Sequence, residues 1–563
     1  MFITKKILQF LPKEYKNKAF IFIIFLTIAT FLETLSIGVI FPLIELIING
    51  DFSDNIFGLG FKKIFNFEEN VSFIKYLILI IIFLYFFKTI YLLFFNYWQL
   101  KFSQNIFKSL SCDLLKNYMT NSLNFHYKNN SSELVRNTML ECKNFGYLIS
   151  IILKLIVEGM IVIFLFLLVL YIEPIKTLIL SSSLTIFILI YYAITKNLIY
   201  RLGLERVKAT GKQMKVLNET FSGIKDIKLK SSENFFLNLY EKFTEKFIKS
   251  AYKQQWIVEA PRVLFEFIFI FILLVSILFY SNYSENFKTL IPILTLYVIV
   301  GFRIIPSAIK ILSIFQQIKG HAATVEILQD EFKNIITKRN SKNIQKKDFN
   351  FKKEINISNI DFSYEGRKSI FNNFSAIIKK NSCVGIIGKS GSGKSTMIDL
   401  ITGLLFPTKG KVLIDEIDIK ENPKGWQSKI GYVSQSVFLL DGSIKENVAF
   451  GAEAKNIDEK LVKKSLEDAK ILDFVNELED GINTAVGEKG VQISGGQRQR
   501  IAIARELYRK PELLILDEAT SALDEKTENQ FLQFIDNLKN KLTIIIVSHR
   551  KNTLKNCEKI LEL

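Results

Sequence analysis

The sequence predicts an α-helical transmembrane domain of six spans followed by an α/β nucleotide-binding domain built on a phosphate loop. Three observations carry that reading. Six apolar segments within residues 19–312 each reach the roughly 20 residues needed to cross a bilayer. Residues 388–396, GKSGSGKST, fit G-x-x-x-x-G-K-[ST], preceded by a short apolar run, SCVGII, and followed by a helical pattern, MIDLITGLL. Further on, LLILDE reads as a buried strand ending in Asp517 and Glu518. The expected organisation is a transmembrane domain over 1–320, a linker over 321–350 and the nucleotide-binding domain over 351–563.

Composition agrees with that division. Of 563 residues, 49% are hydrophobic and 50 are Phe, yet the formal net charge is +18. Such a chain is too apolar for an ordinary soluble enzyme, and its basic excess suits the cytoplasmic side of a membrane protein better than a nucleic-acid binder. A general bias toward Lys, Ile, Asn and Phe accounts for part of both excesses. Cys112, Cys142, Cys383 and Cys557 show neither a C-x-x-C spacing nor a paired framework, so free thiols are expected. The N-terminal MFITKKILQFLPKEYKNK lacks signal-peptide features and reads as an amphipathic helix at the membrane surface.

In order, the spans are expected near 19–46, 74–97, 147–172, 175–195, 257–280 and 290–312. Lys-rich stretches with helical patterning separate the second span from the third and the fourth from the fifth. Folded as helical hairpins, they would reach about 40 Å below the membrane, with tips near 131–136 and 223–229 that could meet the nucleotide-binding domain. Between the first two spans, Phe-rich residues 52–67 alternate with charge. They would either lie in the outer interface, touching lipid or a substrate's tail, or pack on the helix ends.

Ionisable residues within spans are costly and call for a partner or a purpose. Lys88, Arg262 and Arg303 fall at similar depth in the inner half of the bilayer and are candidate substrate contacts. Two bland alternatives stand beside that one: snorkelling to the inner headgroups, and local pairs such as Arg262 with Glu266. Glu33 is a candidate partner for Lys88, and Lys154 with Glu158 reads as an intrahelical pair.

In the soluble half, Tyr364 precedes the phosphate loop where an aromatic could stack on a base. Gly388, Ser390, Gly391, Gly393, Lys394, Ser395 and Thr396 form the phosphate cradle, with Lys394 on the outer phosphates and the Ser395 hydroxyl on Mg²⁺. Asp517 would hold Mg²⁺ and Glu518 would polarise the attacking water. In ISGGQ, residues Ser494, Gly495, Gly496 and Gln497 open a second helix and form another anion site. That site cannot serve a phosphate held by its own Lys394, so an antiparallel dimer with nucleotide between the two copies is the simplest geometry.

These motifs in this order resemble the ATP-binding cassette family, and with six spans ahead of the cassette they resemble its exporter-type half-transporters. The resemblance implies ATP and Mg²⁺ as cofactors, a domain-swapped homodimer, and no nucleic-acid partner or separate substrate-binding protein. It assigns Gln435, in YVSQ, to a loop that senses Mg²⁺ and couples to the membrane, residues 521–524 to the loop after the acid, and His549 to the γ-phosphate switch. Two departures are Ile493 for the usual Leu and a short end after the last strand. FLETLSIGVIFPLI, EAPRVLFE and GFRIIPSAIKI are further similar to the lipid-linked oligosaccharide flippases of bacterial N-glycosylation, with Lys88 where that family usually has Arg. The implied activity is ATP-driven flipping of a polyprenyl-pyrophosphate-linked oligosaccharide across the bacterial inner membrane. Export of lipid A, a drug or a peptide would use the same engine. A soluble cassette ATPase is opposed by the spans, and a gated channel would not need Glu518.

Overall fold

The computed structural model describes residues 13–38, 70–172, 174–281, 287–339, 349–364, 366, 368–487, 490–519, 533, 535, 536, 538, 539, 541–555 and 557–563. The segment 52–67 and the loop 521–524 lie outside the described residues, as do most of the N-terminal stretch and 39–46 of the first predicted span. The chain divides into two units. One is Met1–Asn121 with His126–Asn340; the other is Ser122–Phe125 with Ser341–Leu563.

The first unit is helical: α1 (Lys13–Gly38), α2 (Asn70–Thr120), α3 (Cys142–Ile172), α4 (Pro174–Ser222), α5 (Glu233–Ser281), α6 (Phe287–Gly320) and α7 (Ala322–Arg339). The described part of each predicted span falls in one of α1 to α6, the first span as far as Gly38. Among the described residues, Ile78–Thr120, Ser131–Leu167 and Ser181–Ser222 are by length and composition apolar enough to cross a membrane. At 1.5 Å per residue the 51-residue α2 is about 77 Å long, so it runs far beyond a hydrocarbon core of about 30 Å. Phe83, Phe86 and Leu93 on α2 are each more than 60% exposed, a surface suited to lipid rather than water. The predicted tips are the short helices Ser131–Arg136 and Ile224–Leu229, within the first unit. The stretch grouped with the second unit lies earlier, at Ser122–Phe125, just past the turn that ends α2.

Small side chains and polar bonds set the packing. Phe22 of α1 stacks on Trp98 of α2 at 5.2 Å, and Tyr91 donates to the Phe25 carbonyl at 2.6 Å. Helices α4 and α6 meet backbone to backbone, since a Cβ on Gly203 would lie 2.0 Å from the Gly320 carbonyl oxygen. The chain then turns at His321, which is buried and receives an Arg206 N–H at Nδ1, 3.2 Å away. Arginine can only donate, so Nε2 carries the imidazole proton. Burial, and then the neighbouring Arg206 charge, push the imidazole pKa down to about 3. Nearby, a π-helical turn at Asn137–Glu141 is tied to α7 by Thr324 donating to Glu141 at 2.6 Å and Asn137 donating to Glu331 at 3.1 Å.

The second unit holds two sheets. The antiparallel one has the order β2-β1-β4-β5, with β1 (Glu354–Ser363), β2 (Ser369–Lys379), β4 (Lys409–Ile414) and β5 (Ile417–Asp418). The parallel one has the order β6-β7-β8-β3-β9, with β3 (Cys383–Ile387), β6 (Ile430–Val433), β7 (Leu513–Asp517), β8 (Thr543–Val547) and β9 (Lys559–Glu562). In β7 and β8 every residue is buried, which is why they read as unbroken apolar runs instead of alternating. Trp426 is fully buried, its indole N–H on the Ile401 carbonyl at 2.8 Å, and Leu123 packs against the same apolar cluster. The cysteines are free, as expected, but the Cys383 and Cys557 sulfurs lie 3.2 Å apart, a neighbourhood their spacing conceals.

Candidate functional site

The strand order gathers the soluble site. Neighbouring parallel strands β6, β7, β8 and β3 end, in that order, next to Gln435, the Asp517–Glu518 pair, His549 and the phosphate loop, which is where ligands bind in such sheets. Residues far apart in sequence therefore share one edge.

In the loop after β3, Gly391 (φ +81°) and Gly393 (φ +101°) hold conformations that favour glycine. A Cβ on Gly393 would also lie 2.5 Å from Ile370 Cγ2. Lys394 opens helix α8 (Lys394–Ile401), and its buried ammonium donates to the carbonyls of Gly388 at 2.9 Å and Lys389 at 3.1 Å. The Ser392 hydroxyl is buried within the loop with no hydrogen-bond partner among the described residues. An orphaned hydroxyl and an ammonium folded back onto the carbonyls of its own loop fit a polyphosphate. Ser395 is exposed at the first turn of α8, where its hydroxyl can reach a cation, and Thr396 lies 3.3 Å from the Tyr364 hydroxyl. The Tyr364 ring stands edge-on to Phe362 at 5.1 Å.

At the end of β7, Asp517 is buried and accepts from the Tyr432 hydroxyl at 3.1 Å. Burial raises its pKa; the Tyr432 bond and Lys394 oppose that rise, while the Glu518 charge adds to it. Glu518 sits in the left-handed region, φ +50°, which costs a residue with a Cβ about 1–2 kcal/mol. Its carboxylate is clamped: Gln435 Nε2 donates to Oε2 at 2.6 Å, and His549 Nε2 lies 3.0 Å from Oε1. The arrangement can hold a divalent cation on Asp517, Ser395 and Gln435 and leave a fixed carboxylate facing a water nucleophile.

The second anion site is built separately. Ser494 caps helix α9 (Gly495–Tyr508) through a reciprocal box, its hydroxyl accepting from Gln497 N–H at 3.3 Å and its own N–H donating to the Gln497 side chain at 2.8 Å. That box fixes Gly495 and Gly496 at the helix start with N–H groups directed outward.

Among the candidate substrate residues, Lys88 donates to Ser36 on α1 at 3.0 Å and lies 4.8 Å over the Tyr85 ring. The Glu33 side chain is outside the described residues. Arg262 and Glu266 line a cavity of about 500 Å³ between α5 and α6, otherwise walled mainly by Phe269, Phe302 and Ile305. Arg303 stands on α6, and its side chain lies outside the described residues. The expected Lys154–Glu158 pair is corrected: Glu158 turns into the contact between α3 and α6 and is held by Lys310 at 2.7 Å, while Lys154 is exposed.

Sequence reasoning passed over Ser392, Tyr432, Lys310 and Asp399. Tyr432 stands in the quoted YVSQ and Lys310 in GFRIIPSAIKI, so both were signalled by position without a role. Asp399, an acid in an apolar helix, is pushed up to about 6 by burial and by Asp517.

The comparisons agree with this architecture. Residues 371–521 match the ABC transporter family model, and residues 19–303 match the model of the ABC transporter transmembrane region. The chain is 30% identical over 393 residues to the alpha-hemolysin translocation ATP-binding protein HlyB of Escherichia coli O157:H7, covering 69% of this chain and 55% of that one. It is 35% identical over 259 residues to the heterocyst differentiation ATP-binding protein HepA of Nostoc sp., covering 45% and 42%. It is 43% identical over 210 residues to ABC transporter B family member 21 of Arabidopsis thaliana, covering 37% and 16%. The chain thus spans about half or less of the length of these relatives. A bacterial Atm1-family ABC exporter with ATP bound shares the fold, with a TM-score of 0.75 at 20% identity over 97% of this chain and 93% of that one. The transmembrane model alone covers half of the sequence and meets the cassette model on the same chain, so this protein belongs to the ABC transporter family.

Proposed function

We propose that the protein is an ATP-hydrolysing exporter that flips a polyprenyl-pyrophosphate-linked oligosaccharide from the inner to the outer leaflet, acting as a homodimer in the bacterial inner membrane. The observation that carries this reading is an arginine, Arg262, in a largely apolar membrane cavity of a chain whose hydrolytic set is whole. ATP with Mg²⁺ supplies the phosphoanhydride bond whose hydrolysis resets the cycle.

The chain's own groups divide the work. Lys394, Ser392 and the loop N–H groups bind phosphate oxygens; Ser395, Asp517 and Gln435 hold the cation; Tyr364 faces the base. Glu518, fixed by Gln435 and His549, orients and polarises water. The Ser494–Gly496 helix start of a second copy closes the site from the far side. Closure favours one state of the membrane helices and release favours the other, which is how a ligand drives a switch. Arg262, with Arg303 and Lys88, would attract the pyrophosphate, and the apolar cavity wall would accept part of a prenyl chain.

A second reading, export of a lipid A, drug or peptide amphiphile, draws support from Glu266, which shares the cavity and offsets its charge. Reconstitution in liposomes tests the two. ATP-dependent flipping of a lipid-pyrophosphate-linked oligosaccharide by the wild type, but not by Glu518→Gln, is the expected result. ATPase activity without flipping would discard the glycolipid and leave the other amphiphiles.

A further inference from the structure

Cys383 opens β3 and Cys557 stands just ahead of β9, so the two thiols mark the same end of neighbouring parallel strands. Their sulfurs are 3.2 Å apart, and between them the Glu558 N–H donates to the Cys383 carbonyl at 2.9 Å. A Cβ on Gly385, on the same face of β3 as Cys383, would lie 3.5 Å from the Cys557 sulfur. Cys383 is fully buried, whereas Cys557 is only half-buried and within reach of a small solute. At the other end of these strands lies the phosphate cradle. β3 runs into Gly388, and the Leu563 N–H after β9 donates to the Ile387 carbonyl at 2.9 Å. A Cβ on Gly388 would sit 2.7 Å from the Leu563 carbonyl oxygen, so β9 presses on the first residue of the loop. The thiol pair and the phosphate loop are the two ends of one ribbon. The Cys383 S–H donated to Cys557 pulls the Cys557 thiol below its ordinary pKa against the opposing effect of burial, and the same bond, then burial, pushes Cys383 up. The thiolate, the form that oxidants attack, therefore collects on the more accessible sulfur.

We propose that Cys557 and Cys383 form a peroxide-reactive pair, Cys557 attacked and Cys383 resolving, whose disulfide pins β9 to β3 and slows ATP turnover at the phosphate loop. The Cys557 thiolate attacks hydrogen peroxide: an S–O bond forms as the O–O bond breaks, the sulfur gives up two electrons to the peroxide, and hydroxide leaves and is protonated by solvent. The Cys383 thiol then attacks the sulfenic sulfur. The S–S bond forms as the S–O bond breaks, and the hydroxyl departs as water with the Cys383 proton. A dithiol reductant reverses the link by exchange. Closing the sulfurs from 3.2 Å to a bond of about 2.05 Å moves each by roughly 0.6 Å, which a strand end can absorb. What the ribbon loses is independent motion of its two strands. Lys394 is folded back on the Gly388 and Lys389 carbonyls and must leave them to reach a phosphate, so the loop has to rearrange in each cycle. A pinned ribbon resists that rearrangement.

The test uses the purified full-length protein in a Cys112→Ser background, which removes the exposed thiol. The protein is treated with hydrogen peroxide, alkylated, digested and read by mass spectrometry, with ATP hydrolysis measured before treatment, after it, and after dithiothreitol. Expected are a Cys383–Cys557 peptide link lighter by two hydrogens, ATP hydrolysis lowered about threefold or more, and recovery after dithiothreitol. Cys383→Ala should stop at a Cys557 sulfenic acid that dimedone captures, Cys557→Ala should capture none, and neither should show the loss of hydrolysis that dithiothreitol restores. Absence of the link in the protein that keeps both thiols would overturn the site, a result that depends on no cysteine-pair variant folding. A link that leaves ATP hydrolysis unchanged would make the pair a passive brace and overturn the control of turnover. Dimedone captured at Cys383 in Cys557→Ala would overturn the assigned order of attack.

Discussion

Gln435 Nε2 lies 2.6 Å from Glu518 Oε2, so the side chain after β6 holds the one after β7, and His549 after β8 completes the clamp at 3.0 Å. Three adjacent strands fix one carboxylate. Glu518→Gln should lower ATP hydrolysis by roughly 10²–10³-fold while ATP is still retained. Phosphate release and nucleotide retention on a filter check this, and hydrolysis within about tenfold of the wild type would take Glu518 out of its role.

Gly393→Ala adds a methyl 2.5 Å from Ile370 Cγ2 at a φ of +101°. The loop must shift, so ATP affinity should fall by about tenfold or more while the helical unit keeps its thermal transition. Equal ATP affinity would show that the cradle tolerates a different backbone path.

Arg262→Ala should leave basal ATPase within about twofold and abolish stimulation and flipping of the lipid-linked substrate. Arg262 faces a cavity in the helical unit, far in sequence from any nucleotide-site residue. Full transport by this variant would return Arg262 to a supporting role in the helix.

His321 links stability to pH. Its pKa is about 3 in the fold against 6.5 ordinarily. Below about pH 6.5 the unfolded chain takes up a proton that the native chain refuses, so stability falls by about 1.4 kcal/mol per pH unit until the folded pKa is reached. Between pH 7.5 and 5.0 the loss should be about 2 kcal/mol, read by denaturant titration in detergent, and His321→Gln should flatten that slope. A slope unchanged by the substitution would mean that another group carries the proton.

The parts legible in the sequence were the contiguous ones. A phosphate loop declares itself because its glycines, lysine and flanking strand are adjacent, and the six apolar segments because length and composition suffice. What stayed hidden depends on strand order and helix packing. Nothing in a linear reading puts Gln435 against Glu518, since that requires β6 beside β7. The Lys154–Glu158 expectation failed for the same reason: helical spacing offered a partner, but packing of α3 on α6 supplied Lys310 from 152 positions away. Tyr432 and Ser392 carry no sequence signal beyond their motifs, and their roles emerge only from a buried hydroxyl's bonds or lack of them.

The left-handed backbone at Glu518 carries a consequence for how such a chain evolves. Glycine at 518 would relax about 1–2 kcal/mol of strain and give a more stable fold with no carboxylate to work with. Glutamine keeps the Cβ and so keeps the strain, which makes it the fair control for chemistry alone. Selection for robustness and selection for turnover therefore pull against each other at one residue, and random stabilising screens of this protein should drift toward pumps that fold well and do not run.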